Sequence, residues 1–499
     1  MTHKEKGKKP LPFTLFPVKQ RNGSVVYYAS DFSEELGGAV YKGHQCTLVN
    51  ANPLDLKPRH IKKEELRIDY HSPVAIKLYD GKHHPSPFQF YTSEIAVLNI
   101  KGRDALIMDY IDGFHIYPDA CDNPGLNQLT FLQVVDISWQ LILGLNTLHY
   151  RNTSGPSIVH GDIKGENIKI QIKEIETTDG KKCKVDVSFL DLDYAKPIID
   201  TPQIPQGTPE HIAIEILNGY YSESSDFFAL SPLLLSLFGA DNPLKKIIEF
   251  GNDNVHMKRE ELIRKFRDIG FCTDGLFEHF KKKPDLFICE LVKNFILKMG
   301  KKNRVDRPSP NAILEFFTAL RQLSLLDEAN RYDTEKESYF LRLYIAAQEE
   351  YWLTEKKYQM LFFHLDEHLQ KRLISLMSMK QCVLFYKIAQ ENNAPFSLIN
   401  QLRRNAADHL VEQIRFLKKT SRTSSFFSSS PTKKDIQWLL YCYEHNDFAD
   451  FYSTSHEKIR KKLEQCSKKD LAPLILIIAE GITQKIDSPF SANSSNSIS

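Results

Sequence analysis

The sequence predicts an α+β chain in which a small antiparallel β region carrying one helix precedes a larger helical region and an all-α C-terminal region. Two observations predict it. Residues 20–112 are rich in short β-type runs ("SVVYYA", "AVYKG", "CTLVN", "PVAIKLYD", "ALIMDYI"), separated by Gly, Pro and Asn punctuation. From Leu129 onward the apolar residues recur every third or fourth position, beginning with "LTFLQVVDISWQLILGLNTLHYRN".

Within 20–112 the stretch "FQFYTSEIAVLN" reads as the single helix, and "NPLDLKPRHIKKEELRIDYHS" reads as an insertion between the second and third strands of the sheet. Residues 113–322 are helical apart from a strand-rich patch between Ile158 and Lys196, where "KEIETTDGKKCKV" lengthens a hairpin. Residues 327–486 carry the apolar stripes of a third, all-helical domain, in "ESYFLRLYIAAQEEYWL", "YQMLFFHLDEHLQKRLISLM", "CVLFYKIAQ" and "IQWLLYCYE". A Ser-rich loop at 420–431 interrupts that domain, and the tail 487–499 is too polar and small-sided to bury a core.

The 499 residues suffice for two or three domains, and 42% hydrophobic content is that of a folded globular protein. A formal charge of +2 argues against a nucleic-acid partner. The opening "MTHKEKGKKPLPF" is basic but lacks the apolar core of a secretory signal, and no apolar run approaches the roughly 20 residues of a membrane span. The most apolar stretch, "LAPLILIIAEGI", reads as a buried helix. Eight cysteines without CxxC or Cys/His spacing point to reduced thiols in a cytosolic setting, not to zinc or disulfides.

The chemistry concentrates in "VHGDIKGENI". Transfer of a γ-phosphoryl group needs a carboxylate to orient the attacking hydroxyl, a cation on the moving charge and oxygen ligands for magnesium. Asp162, Lys164 and Asn167 supply one of each within six residues. Upstream, "VAIK" ends in Lys77 on a predicted strand. Downstream come "FLDLDYAKP" with Asp191, "GTPEHIAIEIL" with Thr208 and Glu215, "YSESSDFFAL" with Asp226, and "VDRPSPNAIL" with Arg307.

In this order the motifs resemble those of eukaryotic-type serine/threonine protein kinases, over roughly Val25 to Leu320. The resemblance implies a bilobal protein-kinase-like fold, with 20–112 as the N-lobe and 113–322 as the C-lobe. It implies ATP and Mg²⁺ as cofactors and protein hydroxyls as substrates. It places Asp162 as the catalytic base and pairs Lys77 with Glu94 on the N-lobe helix, while Asn167 and Asp191 become the metal ligands. For the nucleotide it implies contacts from Gly37, Gly38 and Val40 in the phosphate loop, from Ala75 and Lys77, and from Met108, Asp109 and Ile111 at the hinge. Glu215 is expected to pair with Arg307. His160 is expected to be a packed structural residue.

The departures are informative. "ELGGAVYKG" is a shortened phosphate loop, Asp193 stands where the family has the glycine after the metal-binding aspartate, and Gly161 stands where most members have arginine. That arginine receives an activation-loop phosphate, so its loss implies activity without activation-loop phosphorylation. Two rival functions remain at this level. Aminoglycoside- and choline-type kinases share His-Gly-Asp followed by Asn, although Lys164 and Thr208 favour protein substrates. A pseudokinase scaffold would explain the short loop and Asp193, although Lys77, Glu94, Asp162, Asn167 and Asp191 are all retained. The idiosyncratic N-lobe and Ser-rich tail resemble, in style, the host-directed effector kinases of Legionella-type bacteria. That resemblance implies host signalling proteins as substrates and delivery from a bacterium into the host cytosol.

Overall fold

The computed structural model describes residues 13–49, 57–87, 94–100, 102–116, 129–150, 157–177, 180–199, 201–282, 284–328, 334–347, 356–399, 401–402 and 405. The chain divides into two compact units, Met1–Pro310 and Asn311–Ser499.

The first unit opens with strands β1 (Phe13–Lys19), β2 (Val25–Ser30), β3 (Glu35–Gly37), β4 (Val40–Leu48), β5 (Arg59–Ile61), β6 (Leu66–Leu78), β7 (Glu94–Ile100) and β8 (Arg103–Asp109). They form an eight-stranded antiparallel sheet in the order β5-β1-β2-β4-β6-β8-β7, with β3 on β4. Neighbouring side chains of a strand point to opposite faces. Leu15 accordingly joins Ala29, Cys46, Ile61 and Leu66, while Phe16 and Val18 join Tyr28, Val74, Ile76, Ala105 and Ile107. The sheet is thus buried on both faces over β1, which reads as a continuous apolar run rather than an alternating one.

One expectation needs correcting. The helix expected over "FQFYTSEIAVLN" is absent from its second half, because Glu94–Ile100 is the edge strand β7; residues 88–93 lie outside the described residues. Glu, Ala and Leu favour helix, but Ile95, Ala96, Leu98 and Ile100 pack on the Phe16–Ile76–Ile107 core, and this packing overrides local propensity. No α-helix stands before Phe131 among the described residues. The described part of the insertion forms β5, a 3-10 turn at Lys63–Glu65 and the first half of β6. The register of β4 on β6 jumps between His44↔Pro73 and Gln45↔Asp69, and Asp69 ties the bulge by accepting from the His71 amide and the Ser72 hydroxyl.

Helix α1 (Phe131–His149) starts on a capping box in which Thr130 and Gln133 exchange side-chain-to-backbone bonds. With a mean hydropathy of 1.2 it is long and apolar enough to cross a membrane by length and composition. Its stripe of Val134, Ile137, Leu141 and Leu145 is nevertheless buried in the protein, as in the core helix of a globular domain. There follow β9 (Ile158–Val159), β10 (Ile168–Thr177), β11 (Gly180–Phe189) and β12 (Lys196–Pro197). β10 and β11 form the lengthened hairpin that packs on α1, and β12 closes against β9. Helix α2 (Glu223–Leu237) is buried along nearly its whole length, and α3 (Lys245–Asp253), α4 (Arg259–Phe266) and α5 (Leu286–Met299) complete the unit. An antiparallel β lobe and a helical lobe in one unit give the mixed α+β, kinase-like architecture expected from the sequence.

The second unit contains α6 (Pro310–Glu328), α7 (Thr334–Ala346), α8 (Lys356–His364), α9 (Glu367–Leu376) and α10 (Met379–Glu391). Its buried carboxylate, Glu315, accepts from Arg342 Nε at 2.5 Å and forms an ion pair with Arg372 Nη2 at 2.6 Å, so three helices share one charge cluster. The expected helices "IQWLLYCYE" and "LAPLILIIAEGI", the loop 420–431 and the tail 487–499 lie outside the described residues. Cys46, Cys272, Cys289 and Cys382 are free thiols.

Candidate active site

A cleft of about 520 Å³ lies between the sheet and the helical lobe of the first unit, within the usual size for small-molecule sites. Gly37, Gly38 and Val40 cover it from the β3–β4 turn, Ala75 and Lys77 come from β6, and Met108, Asp109 and Ile111 come from the end of β8. Lys164, Asn167 and Asp191 line the opposite wall. A Cβ on Gly37 or Gly38 would meet nothing within 4 Å, so the space above their backbone is open to a ligand. Leu36, Leu106, Tyr110, His115, Glu166, Lys169 and Leu190 also line the cleft and carry no motif of their own.

The catalytic loop is fixed from beneath. Asp226, in the first turn of α2, accepts from the backbone amides of His160 at 2.8 Å and Gly161 at 3.0 Å and lies 2.9 Å from His149 Nε2. A helix N-terminus suits a buried carboxylate. His160 is fully buried, with Nε2 3.0 Å from the Leu190 carbonyl and its ring against Phe189. It packs the loop and has no outlet to the cleft.

Asp162 is 4% exposed, and its two oxygens are differently occupied. Oδ1 accepts from the amide of Thr208 at 2.8 Å and its hydroxyl at 2.7 Å. Oδ2 accepts from Asn167 Nδ2 at 3.1 Å, with Lys164 Nζ at 3.4 Å. A carboxylate offers about four acceptor sites, so Oδ2 retains capacity for a further donor.

Glu94 begins β7, where its Cα pairs with that of Met108. Lys77 forms ion pairs with Asp191 at 2.8 Å and Asp193 at 2.7 Å. Burial disfavours the Lys77 ammonium, but the two carboxylates outweigh it and hold the pKa above the ordinary lysine value. Tyr79, just past the end of β6, donates its hydroxyl to Asp193 at 2.8 Å; burial and then the Asp193 charge push that phenol up. Asp191 itself has a φ of +59°, a conformation that side-chain-bearing residues adopt rarely and mostly at functional sites.

The segment after Asp191 is held at several points. Arg259 donates to the Gly207 carbonyl at 2.7 Å, Arg267 to those of Pro209 and Glu210 at 2.9 and 2.8 Å, and the Tyr221 hydroxyl receives the Gln206 amide at 2.7 Å. Burial brings the Arg267 guanidinium down to about 9. Glu215 and Arg307 form a bidentate pair at 2.7 and 3.0 Å, stacked at 4.7 Å on the Phe228 ring.

The donor set fits magnesium. Asn167 spends its Nδ2 on the Asp162 carbonyl and carboxylate, which turns its amide oxygen into the available ligand atom; with Asp191 it offers the hard oxygen chemistry that Mg²⁺ prefers. Among the described residues no cluster of three or more His, Cys, Asp or Glu groups is placed to hold a metal.

Comparison with known proteins agrees with this geometry. Residues 94–317 match the model of the protein kinase domain. A probable serine/threonine-protein kinase of Dictyostelium discoideum is 27% identical over 32% of this chain and 9% of its own length. Serine/threonine-protein kinase pkn3 of Myxococcus xanthus is 25% identical over 45% of this chain and 37% of its own, and Nek1 of Mus musculus 27% identical over 46% and 16%. The chain therefore spans well under half the length of each of these relatives. The match begins at β7, so the strands that carry Gly37, Gly38 and Lys77 are related to the family by their place around the cleft. Fold, cleft and relatives together support a protein kinase domain of the eukaryotic serine/threonine type at residues 94–317.

Proposed function

We propose that the chain is an ATP- and magnesium-dependent serine/threonine protein kinase that needs no activation-loop phosphorylation. The observation that carries the reading is the convergence of Lys77, Lys164, Asn167 and Asp191 on one cleft, with Asp162 held by Thr208 directly behind Asn167 and Lys164 of its wall.

Asp191 and Asn167 would hold magnesium, which when bound neutralises charge on the phosphates. Gly37 and Gly38 let the backbone approach the phosphates closely, and Lys77 and Lys164 place positive charge along them. Asp162 receives the substrate hydroxyl at Oδ2, the oxygen with spare acceptor capacity, while Thr208 fixes the carboxylate plane through Oδ1. Thr208 belongs to the segment pinned by Arg259, Arg267 and Tyr221, so the docking wall for a peptide is ordered by fixed contacts.

Independence from a phosphate switch is supported by Gly161. Its φ is +78°, and a Cβ there would lie 2.5 Å from the Tyr194 carbonyl oxygen, so this loop geometry has no room for the phosphate-receiving arginine. Host proteins as substrates, and delivery of the chain from a bacterium, are part of the same proposal and rest on the style of the sequence; deletion of residues 487–499 followed by a delivery assay tests them. The enzymatic reading is tested by transfer of labelled phosphate to a mixed protein substrate, to choline and to an aminoglycoside. Transfer to protein that vanishes in Asp162→Ala and Lys77→Ala supports it; transfer to a small molecule alone, or none at all, overturns it.

A further inference from the structure

We propose that Asp193 is the positioning residue of Lys77, doing from the metal-binding segment what a helix-borne carboxylate was expected to do. The inference rests on the kinase reading and specifies how that site is assembled. Asp193 uses both oxygens on the end of strand β6 and the residue after it: Oδ2 takes Lys77 Nζ at 2.7 Å and Oδ1 takes the Tyr79 hydroxyl at 2.8 Å. A carboxylate gripped at both oxygens by two side chains only two residues apart has a fixed plane, and it fixes the lysine in turn. The residue expected in that role, Glu94, starts an edge strand.

Backbone conformation gives no other reason for the departure from glycine. Asp191 carries the positive φ in this segment; Asp193 does not, so its position accepts any side chain and the carboxylate is not forced on the loop. Asp191 and Asp193 also divide two tasks. Asp191 is the expected metal ligand, so its bond to Lys77 competes with that role. Asp193 keeps the lysine oriented when Asp191 turns to the metal. A consequence concerns regulation: with the lysine and its carboxylate on β6 and the 191–193 segment, the pair forms without any helix swinging in.

The test uses the full chain with ATP and magnesium, comparing wild type with Asp193→Asn, Asp193→Glu, Tyr79→Phe and the Asp193→Asn/Tyr79→Phe double variant. Loss of a charge-assisted anchor is expected to lower kcat roughly 10- to 100-fold with the KM for ATP changed less than about threefold. Asp193→Glu is expected to recover part of the loss. Tyr79→Phe is expected to lower kcat by a smaller factor and to add nothing to Asp193→Asn, because the two act through one bond network. A kcat within about twofold of wild type in Asp193→Asn, or fully multiplicative effects of Asp193→Asn and Tyr79→Phe, overturns the proposal.

Thermal unfolding supplies a readout that needs no catalysis. In a cycle of Lys77→Met and Asp193→Asn, the Tm loss of the double variant is expected to fall short of the sum of the singles; additive losses overturn the pairing. A wild type that transfers no phosphate would defeat the kinase reading, while this cycle would still decide for or against Asp193.

Discussion

Replacing Gly161 by alanine tests how the catalytic loop is held. At φ +78° the added methyl lies 2.5 Å from the Tyr194 carbonyl oxygen, 3.3 Å from its carbon and 3.7 Å from Tyr221 Cε1. The left-handed conformation costs a side-chain-bearing residue about 1–2 kcal/mol. Displacing a backbone carbonyl in a packed site adds about 1–3 kcal/mol, as overpacking does. The sum is about 2–5 kcal/mol, which lowers Tm by roughly 5–15 °C for a unit of this size. Because Tyr194 follows Asp193 directly, the displacement also disturbs the anchor of Lys77, and phosphotransfer is expected to fall with stability. Calorimetry and a rate assay on the same preparation measure both. Gly161→Arg is expected to behave as the alanine variant does and to gain no response to activation-segment phosphorylation. A Gly161→Ala protein with Tm within about 1 °C of wild type and an unchanged rate would refute the reasoning.

Arg307→Ala leaves Glu215 without its bidentate partner beside the Phe228 ring and is expected to cost about 3–5 kcal/mol in denaturant titrations, with Glu215→Ala similar and the double variant less than additive. Thr208→Val removes the hydroxyl bond to Asp162 and keeps the amide bond, so steady-state assays should show kcat down by about tenfold with ATP binding intact. Acid should weaken the fold through His211, which is neutral when folded because burial pushes its pKa down from 6.5. Above pH 6.5 neither state binds the proton; below it the unfolded chain does and the folded one resists, so stability declines as pH falls through 6.5. Urea midpoints at pH 7.5 and 5.5 check this, and His211→Gln should flatten the difference.

Where the fold was legible, local pattern and tertiary demand agreed. The runs at 25–30, 40–48 and 103–109 are strands, and the periodic stretch after Leu129 is α1. Strand β1 was missed because Pro17 interrupts "FTLFPVK" and a strand buried on both faces shows no alternation. Within the insertion, charged residues hide a strand extension that only pairing with β4 reveals. Glu94 was misplaced for the opposite reason: its neighbours are good helix formers, but a free sheet edge beside β8 recruited them.

The candidate site was legible where the spacing of a motif is itself the geometry, as from Asp162 to Asn167. It was not legible where partners meet across the fold. Tyr79 and Asp193 are separated by 114 positions, and nothing local to "KLYD" marks its tyrosine as a clamp. Asp193 looked like a disturbance of the metal site, and the contacts make it the partner of Lys77. Gly161 looked like a missing arginine, and its backbone shows that the loop takes a conformation only glycine adopts without strain.

Protein phosphotransfer itself is most directly measured by mass spectrometry of a dephosphorylated cell lysate incubated with ATP, magnesium and either the wild-type chain or Asp162→Ala. New phosphoserine and phosphothreonine sites in the wild-type reaction alone, appearing without prior phosphorylation of the chain, are the predicted result. Identical site lists for the two proteins, or sites that appear only after another kinase has phosphorylated the segment between Asp191 and Glu215, would contradict it.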